Sequence, residues 1–158
     1  MSTEDFTETF TIDREPPLVY AAVTDPRAWW SSEIEGPTVH EGDEFAYHYE
    51  DQHRCRIRVE EAVPGRRVAW RVLENYFSAG ADPQEWVDTT IEFDLTPTPT
   101  GTEVRFTHRG LVPRYECYEN CSTSWRFYVT DSLRGLIETG TGKPNATGVP
   151  RAPVELRR

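Results

Sequence analysis

The chain has 158 residues, 37% of them hydrophobic and 12% aromatic. That is one ordinary domain's length, enough to bury roughly 70% of the surface the unfolded chain exposes, and too rich in rings for a disordered chain. Lys and Arg number 17 against 27 Asp and Glu, a net charge of −10, so nucleic acid and anionic membrane surfaces are poor partners: phosphate binding draws on a basic excess.

No apolar stretch approaches the ~20 residues of a membrane span, so no membrane insertion is expected. The opening Met1-Ser2-Thr3-Glu4-Asp5 is acidic and does not read as a signal peptide. Three cysteines make an odd number with no CxxC pair. That argues against a disulfide framework and predicts a cytoplasmic protein.

The first element is a strand. From Phe6 to Ile12 the sequence alternates strictly, with Phe6, Phe10 and Ile12 on one face. Pro16-Pro17 opens a short helix whose apolar side is Leu18, Val19, Ala22 and Val23, and Asp25-Pro26 ends it. A second short turn carries Trp29-Trp30. A run of antiparallel strands follows. Phe45, Tyr47 and Tyr49 share a face. Arg54 to Val59 alternates charged against apolar, and Val68 to Val72 follows the Pro64-Gly65 turn. Asn75 to Glu85 reads as a loop, and Val87 to Leu95 alternates again. The Pro/Gly-rich stretch from Thr96 to Gly101 is a hairpin loop, across which Glu92 is expected to face Arg105. Val104, Phe106 and His108 then share a face.

The period changes after Pro113. From about Tyr115 to Thr139, Tyr118, Cys121, Trp125, Val129 and Leu133 recur at helical spacing, and Gly140 is the expected stop. The segment 143–158 is rich in Gly and Pro without periodicity and reads as a flexible C-terminal tail, leaving 1–142 as a single domain. Each strand is amphipathic, so one face of the sheet needs a cover, and the last helix is the only element long enough. The predicted inner face carries rings with polar tips, where a dry core would favour Leu and Ile; such a lining suits a pocket wall.

Val23-Thr24-Asp25-Pro26 followed by Trp29-Trp30 resembles a signature of the START-like (SRPBCC) superfamily, in the branch named after the activator of the heat-shock protein 90 ATPase. Phe106 to Pro113 is similar to that branch's last strand end. Cys121 through Trp125 to Leu133, with Leu136-Ile137-Glu138-Thr139-Gly140, resembles its closing helix. Ser124 departs from the pattern, which has Gly before the Trp. The resemblance runs from about Phe6 to Gly142. It implies an α+β helix-grip fold: a curved antiparallel sheet wrapped around a long C-terminal helix, two short helices after the first strand, and a cavity between sheet and helix. It also implies binding of hydrophobic or amphipathic small molecules; a few members of the wider superfamily are cyclases or other enzymes. The co-chaperone activity in the branch's name belongs to members with additional domains.

The expected cavity is lined by Trp29, Tyr47, Tyr49, Trp70, Thr89, His108, Tyr118, Cys121, Trp125 and Tyr128. The leading reading is non-catalytic binding of a hydrophobic or aromatic small molecule, lipid-like or polyketide-like, by a monomer or homodimer with no cofactor, no metal and no catalytic residue. One alternative is an enzyme of cyclase or aromatase type with His108 as general base near Tyr118. The other is a co-chaperone or protein-interaction module. No GxSxG motif and no Gly-rich phosphate loop is present.

His108, Cys117 and Cys121 could supply metal ligands, but a zinc site wants three or four, and buried thiols usually act as small hydrophobes. His40, His48 and His53 read as solvated. Glu116 and Glu119 read as carboxylates favoured by a helix start. Arg54, Arg56 and Arg58 form a basic stripe that should face solvent and pair with acidic neighbours. Trp29, Trp30 and Trp86 fit either core or cavity mouth. Trp125 is expected to line a pocket, so that Trp125→Ala costs less than the ~3–5 kcal/mol of a close-packed core position.

Overall fold

The computed structural model describes residues 5–78, 85–113 and 118–152. The elements run β1 (Phe6–Ile12), α1 (Pro16–Val23), a 3₁₀ turn (Pro26–Ala28), β2 (Glu44–Tyr49), β3 (His53–Val63), β4 (Arg67–Phe77), β5 (Thr90–Pro97) and β6 (Thr102–Arg109). A long C-terminal helix closes the order: α2 (Tyr118–Phe127), a π-helical turn (Tyr128–Leu133) and α3 (Arg134–Thr139). Positions 115–117 of the expected helix lie outside the described residues.

Every strand pairing is antiparallel, in the order β1-β6-β5-β4-β3-β2. Sequence neighbours pair except β1 and β2, which form opposite edges of the sheet, so the connection through α1 crosses from one edge to the other. Two register shifts in the β3–β4 pair, at Arg56/Ile57 and Val59/Glu61, bend the sheet. The curved sheet wraps the long helix, giving the α+β helix-grip architecture expected from the sequence. Phe10, Val104, Phe106, Phe93, Ile91 and Ile57 from its inner face meet Trp125, Val129 and Leu133 of the helix in one buried cluster.

Three local readings change. β4 extends to Phe77 into the expected loop. β5 starts at Thr90 rather than Val87, because Asp88 adopts a left-handed φ of 67° that breaks the alternation. Glu92 lies opposite Thr107, and Asp94 is the residue opposite Arg105, because the 98–101 loop closes the hairpin with Pro97 facing Thr102.

On the outer face, Glu92 is almost fully buried under Arg109, which grips it through two bonds of 2.9 and 3.0 Å; Arg67 approaches to 3.3 Å. The Arg109 hydrogen bonds, the Thr90 hydroxyl and the two cationic charges hold Glu92 down to about 2. The expected arginine stripe is also paired: Arg56 and Arg58 both reach Glu44 (2.6 and 2.9 Å), and Arg54 lies over the Tyr76 ring. Their charge is already matched within the sheet, each exposed pair adding only ~0–1 kcal/mol.

The long helix ends where the sequence predicts, Gly140 taking the left-handed C-cap (φ 87°). Beyond it, residues 143–152, expected from the sequence as part of a flexible tail, make packed contacts with the domain. Asn145 is fully buried. Its N–H donates to the Trp30 carbonyl and its carbonyl accepts from Ser32. The Glu33 carboxylate accepts from Thr147, that of Glu50 accepts from the Gly148 N–H, and Ala152 is in the core. Ser132, turned inward by the π-helical turn, donates to the Trp29 carbonyl and accepts from the Lys143 N–H. Residues 153–158 lie outside the described set.

Gly142 lets this strap pass close to the 3₁₀ turn: a Cβ there would sit 2.3 Å from the Ala28 carbonyl oxygen. Gly142→Ala should therefore push the strap away and cost ~1–3 kcal/mol as an overpacked contact. Urea midpoints, with limited proteolysis of the strap, would check this; an unchanged midpoint contradicts it.

Candidate functional site: an aromatic frame between sheet and helix

Five rings from five separate segments close into a loop of contacts. Trp30, after the 3₁₀ turn, stacks on Tyr47 of β2 at 4.2 Å between centroids. Tyr47 meets His53 at the start of β3 edge-on, at 5.2 Å. His53 meets Trp86 edge-on at 4.7 Å, and Trp86 stacks with Trp125 of α2 at 5.9 Å. Trp125 returns to Trp30 at 4.9 Å. All are buried except His53, which is half-buried. Offset and edge-on pairs of this kind are worth about 0.5–1.5 kcal/mol each beyond area burial.

A hydrogen-bond chain runs behind the frame. The Trp125 indole N–H donates to His108 Nδ1 at 3.0 Å. The Thr89 hydroxyl donates to the Trp86 carbonyl at 2.6 Å, so its oxygen is the acceptor in the 2.8 Å contact with His108 Nε2. Those partners assign the proton of neutral His108 to Nε2 and leave neither ring nitrogen a spare lone pair. Burial first, and the neighbouring His53 second, push His108 down to about 3. A general base needs an accessible lone pair. His108 instead holds Trp125 and Thr89 in place.

His53 sits at 2.8 Å from Asn75 Oδ1 through Nε2, and burial pushes it down to about 4 against the opposing pull of that bond. The sequence reading of His53 as solvated is therefore corrected. Its register, opposite Tyr49 on one side and Phe77 on the other, encloses it. The alternation Cys55, Ile57, Val59 extended back by one step would have placed it on the inner face. Trp86 follows a stretch without periodicity, and Trp30 lies in a turn, so neither carried a comparable signal.

The ten expected lining residues divide. Tyr47 and Trp125 belong to the frame, with His108 and Thr89 directly behind it. Tyr128 and Tyr47 meet at the strap, where the Asn145 side-chain amide donates to their hydroxyls at 2.8 and 3.3 Å. Trp29 and Trp70 lie deeper, nearly parallel at 6.4 Å, both edge-on to Phe93. Tyr49 is buried beside His53 in the β2–β3 register. Cys121 is buried on the helix face, and Tyr118, half-buried, packs edge-on against Phe6. Cys117 and Glu116 lie outside the described residues. Among the described residues no group of three His, Cys, Asp or Glu side chains is placed to share a metal ion, and no helix is long and apolar enough to cross a membrane.

Known proteins share this architecture. The solution structure of the Aha1 dimer from Colwellia psychrerythraea superposes with a TM-score of 0.71 at 25% identity, covering 88% of this chain and 99% of that one. Protein MLL2253 from Mesorhizobium loti gives 0.69 at 21% identity, covering 85% and 97%. DynU16, from the dynemicin biosynthetic locus, gives 0.65 at 19% identity, covering 89% of this chain and 49% of that one. Comparison with curated protein sequences gives no significant match. Residues 13–138 match the sequence model described as Activator of Hsp90 ATPase homolog 1-like protein. With the fold, the paired tryptophans and the closing helix all in agreement, the chain belongs to the activator of Hsp90 ATPase homolog 1-like family.

Proposed function

We propose that this domain binds a flat apolar or aromatic small molecule against the ring frame between the sheet and the long helix, and does not convert it chemically. The observation that carries the reading is the frame itself: Trp30, Tyr47, His53, Trp86 and Trp125 come from five segments and present ring faces and edges to one another. The engagement of both His108 nitrogens supports binding over the cyclase-type alternative. The structural likeness to a protein of the dynemicin biosynthetic locus supports an aromatic natural product as the kind of ligand to try first. A homodimer in the cytoplasm belongs to the same proposal; the Colwellia relative, solved as a dimer, supports the assembly, and light scattering tests it.

Titration with a panel of fused-ring compounds should quench tryptophan fluorescence saturably, because three of the five Trp lie in the frame. Native mass spectrometry of the purified protein should show a small-molecule adduct. A panel that leaves the fluorescence unchanged, with no adduct, would sink the binding reading.

A further inference from the structure

Buried polar groups are paired in the great majority of cases, and those left unpaired call for an explanation. The Trp29 and Trp125 indoles follow the rule, donating to the Val23 carbonyl and to His108. The Trp86 indole does not: its Nε1 is buried and has no hydrogen-bond partner. Trp70 Nε1 shares that condition, but among Trp29, Trp30, Phe45 and Phe93 in the deeper stack. Trp86 stands in the frame, edge-on to His53 and His108 at 4.7 Å each. Both nitrogens of His108 are taken. His53 donates through Nε2 to Asn75, so its lone pair is on Nδ1, and that nitrogen makes no hydrogen bond with the Trp86 indole.

Resting on the binding reading above, we infer that the Trp86 N–H is the polar contact of the site, and that the ligand is a neutral aromatic ketone whose carbonyl oxygen accepts from it. The ligand must supply an acceptor because an indole nitrogen only donates, and a ketone oxygen supplies one without adding charge. Neutrality follows from the surroundings. No Lys or Arg belongs to the frame, both histidines beside Trp86 are uncharged at neutral pH, and the chain carries a net charge of −10. A carboxylate there would be buried without a counter-charge.

Fluorene, 9-fluorenone and fluorene-9-carboxylate share one ring system and separate these features. Wild-type protein should bind 9-fluorenone about tenfold more tightly than fluorene, and the carboxylate more weakly than either. Trp86→Phe keeps an aromatic ring and removes the donor, so it should abolish the ketone preference, bringing 9-fluorenone and fluorene to equal affinity. Trp70→Phe should preserve the preference. A measurement independent of variant folding is the indole region of the ¹⁵N–¹H spectrum: the Trp86 signal should move downfield with 9-fluorenone and not with fluorene. Equal binding of ketone and hydrocarbon, a preference that survives Trp86→Phe, or a tightest-binding carboxylate overturns the inference while leaving the binding reading intact. Failure of all three compounds and of the wider fused-ring panel removes both.

Discussion

Trp125→Ala should lower the stability of this domain by about 3–5 kcal/mol, the range of other large-to-small core changes. The ring is 2% exposed and touches Trp30, Trp86, Phe106 and His108, so its removal leaves atoms on several sides without contacts. It also strips His108 Nδ1 of its donor, adding the cost of an unsatisfied buried acceptor. The sequence reading, with the ring at a pocket wall, gives a smaller loss; the four ring neighbours raise the expected value. Trp125→Phe separates the two contributions, since it keeps most of the ring and loses the hydrogen bond, and should cost ~1–3 kcal/mol. Urea midpoints of both variants provide the measurement. A loss below ~1 kcal/mol for Trp125→Ala would mean that these contacts add little to stability.

Acidification from pH 6.5 towards 4.5 should destabilise the fold steeply. His53 is held down to about 4 and His108 to about 3, chiefly by burial, whereas the unfolded chain protonates both near their ordinary 6.5. In this window the unfolded state therefore binds more protons than the native one, and stability falls as pH falls. Their contribution is fully present above pH 6.5. It is lost at up to ~1.4 kcal/mol per pH unit for each histidine, a large slope against a typical total of ~5–15 kcal/mol. Glu92, held down to about 2, adds its own loss only below about 4.5, so the two effects separate along the pH axis. Denaturant midpoints between pH 7.5 and 4.5 should show the slope, and His53→Gln should roughly halve it. A flat profile would contradict the lowered proton affinity of both imidazoles.

Much of the architecture was legible because local period and burial agree. Phe6, Phe10 and Ile12 alternate and are all buried, as are Phe45, Tyr47 and Tyr49; strict alternation leaves a strand one way to bury its apolar face. Cys121, Trp125, Val129 and Leu133 at helical spacing likewise determined the buried stripe of the long helix. Gly140 stops that helix because its left-handed conformation suits a residue without Cβ.

What the sequence could not determine depends on partners distant along the chain. Asn145, in a stretch without periodicity, is buried because the hydroxyls of Tyr47 and Tyr128 and the backbone of Trp30 and Ser32 receive its polar groups. His108 looked like a candidate base until Trp125, 17 residues away, and Thr89, 19 residues away, were seen to occupy its two nitrogens. His53 and Trp86 became part of one frame only when β3 and the turn before β5 were brought together. Periodicity reports which face of an element is buried. Whether a polar atom on that face is satisfied, and by which group, is a property of the contacts made across the fold, and only the tertiary structure decides it.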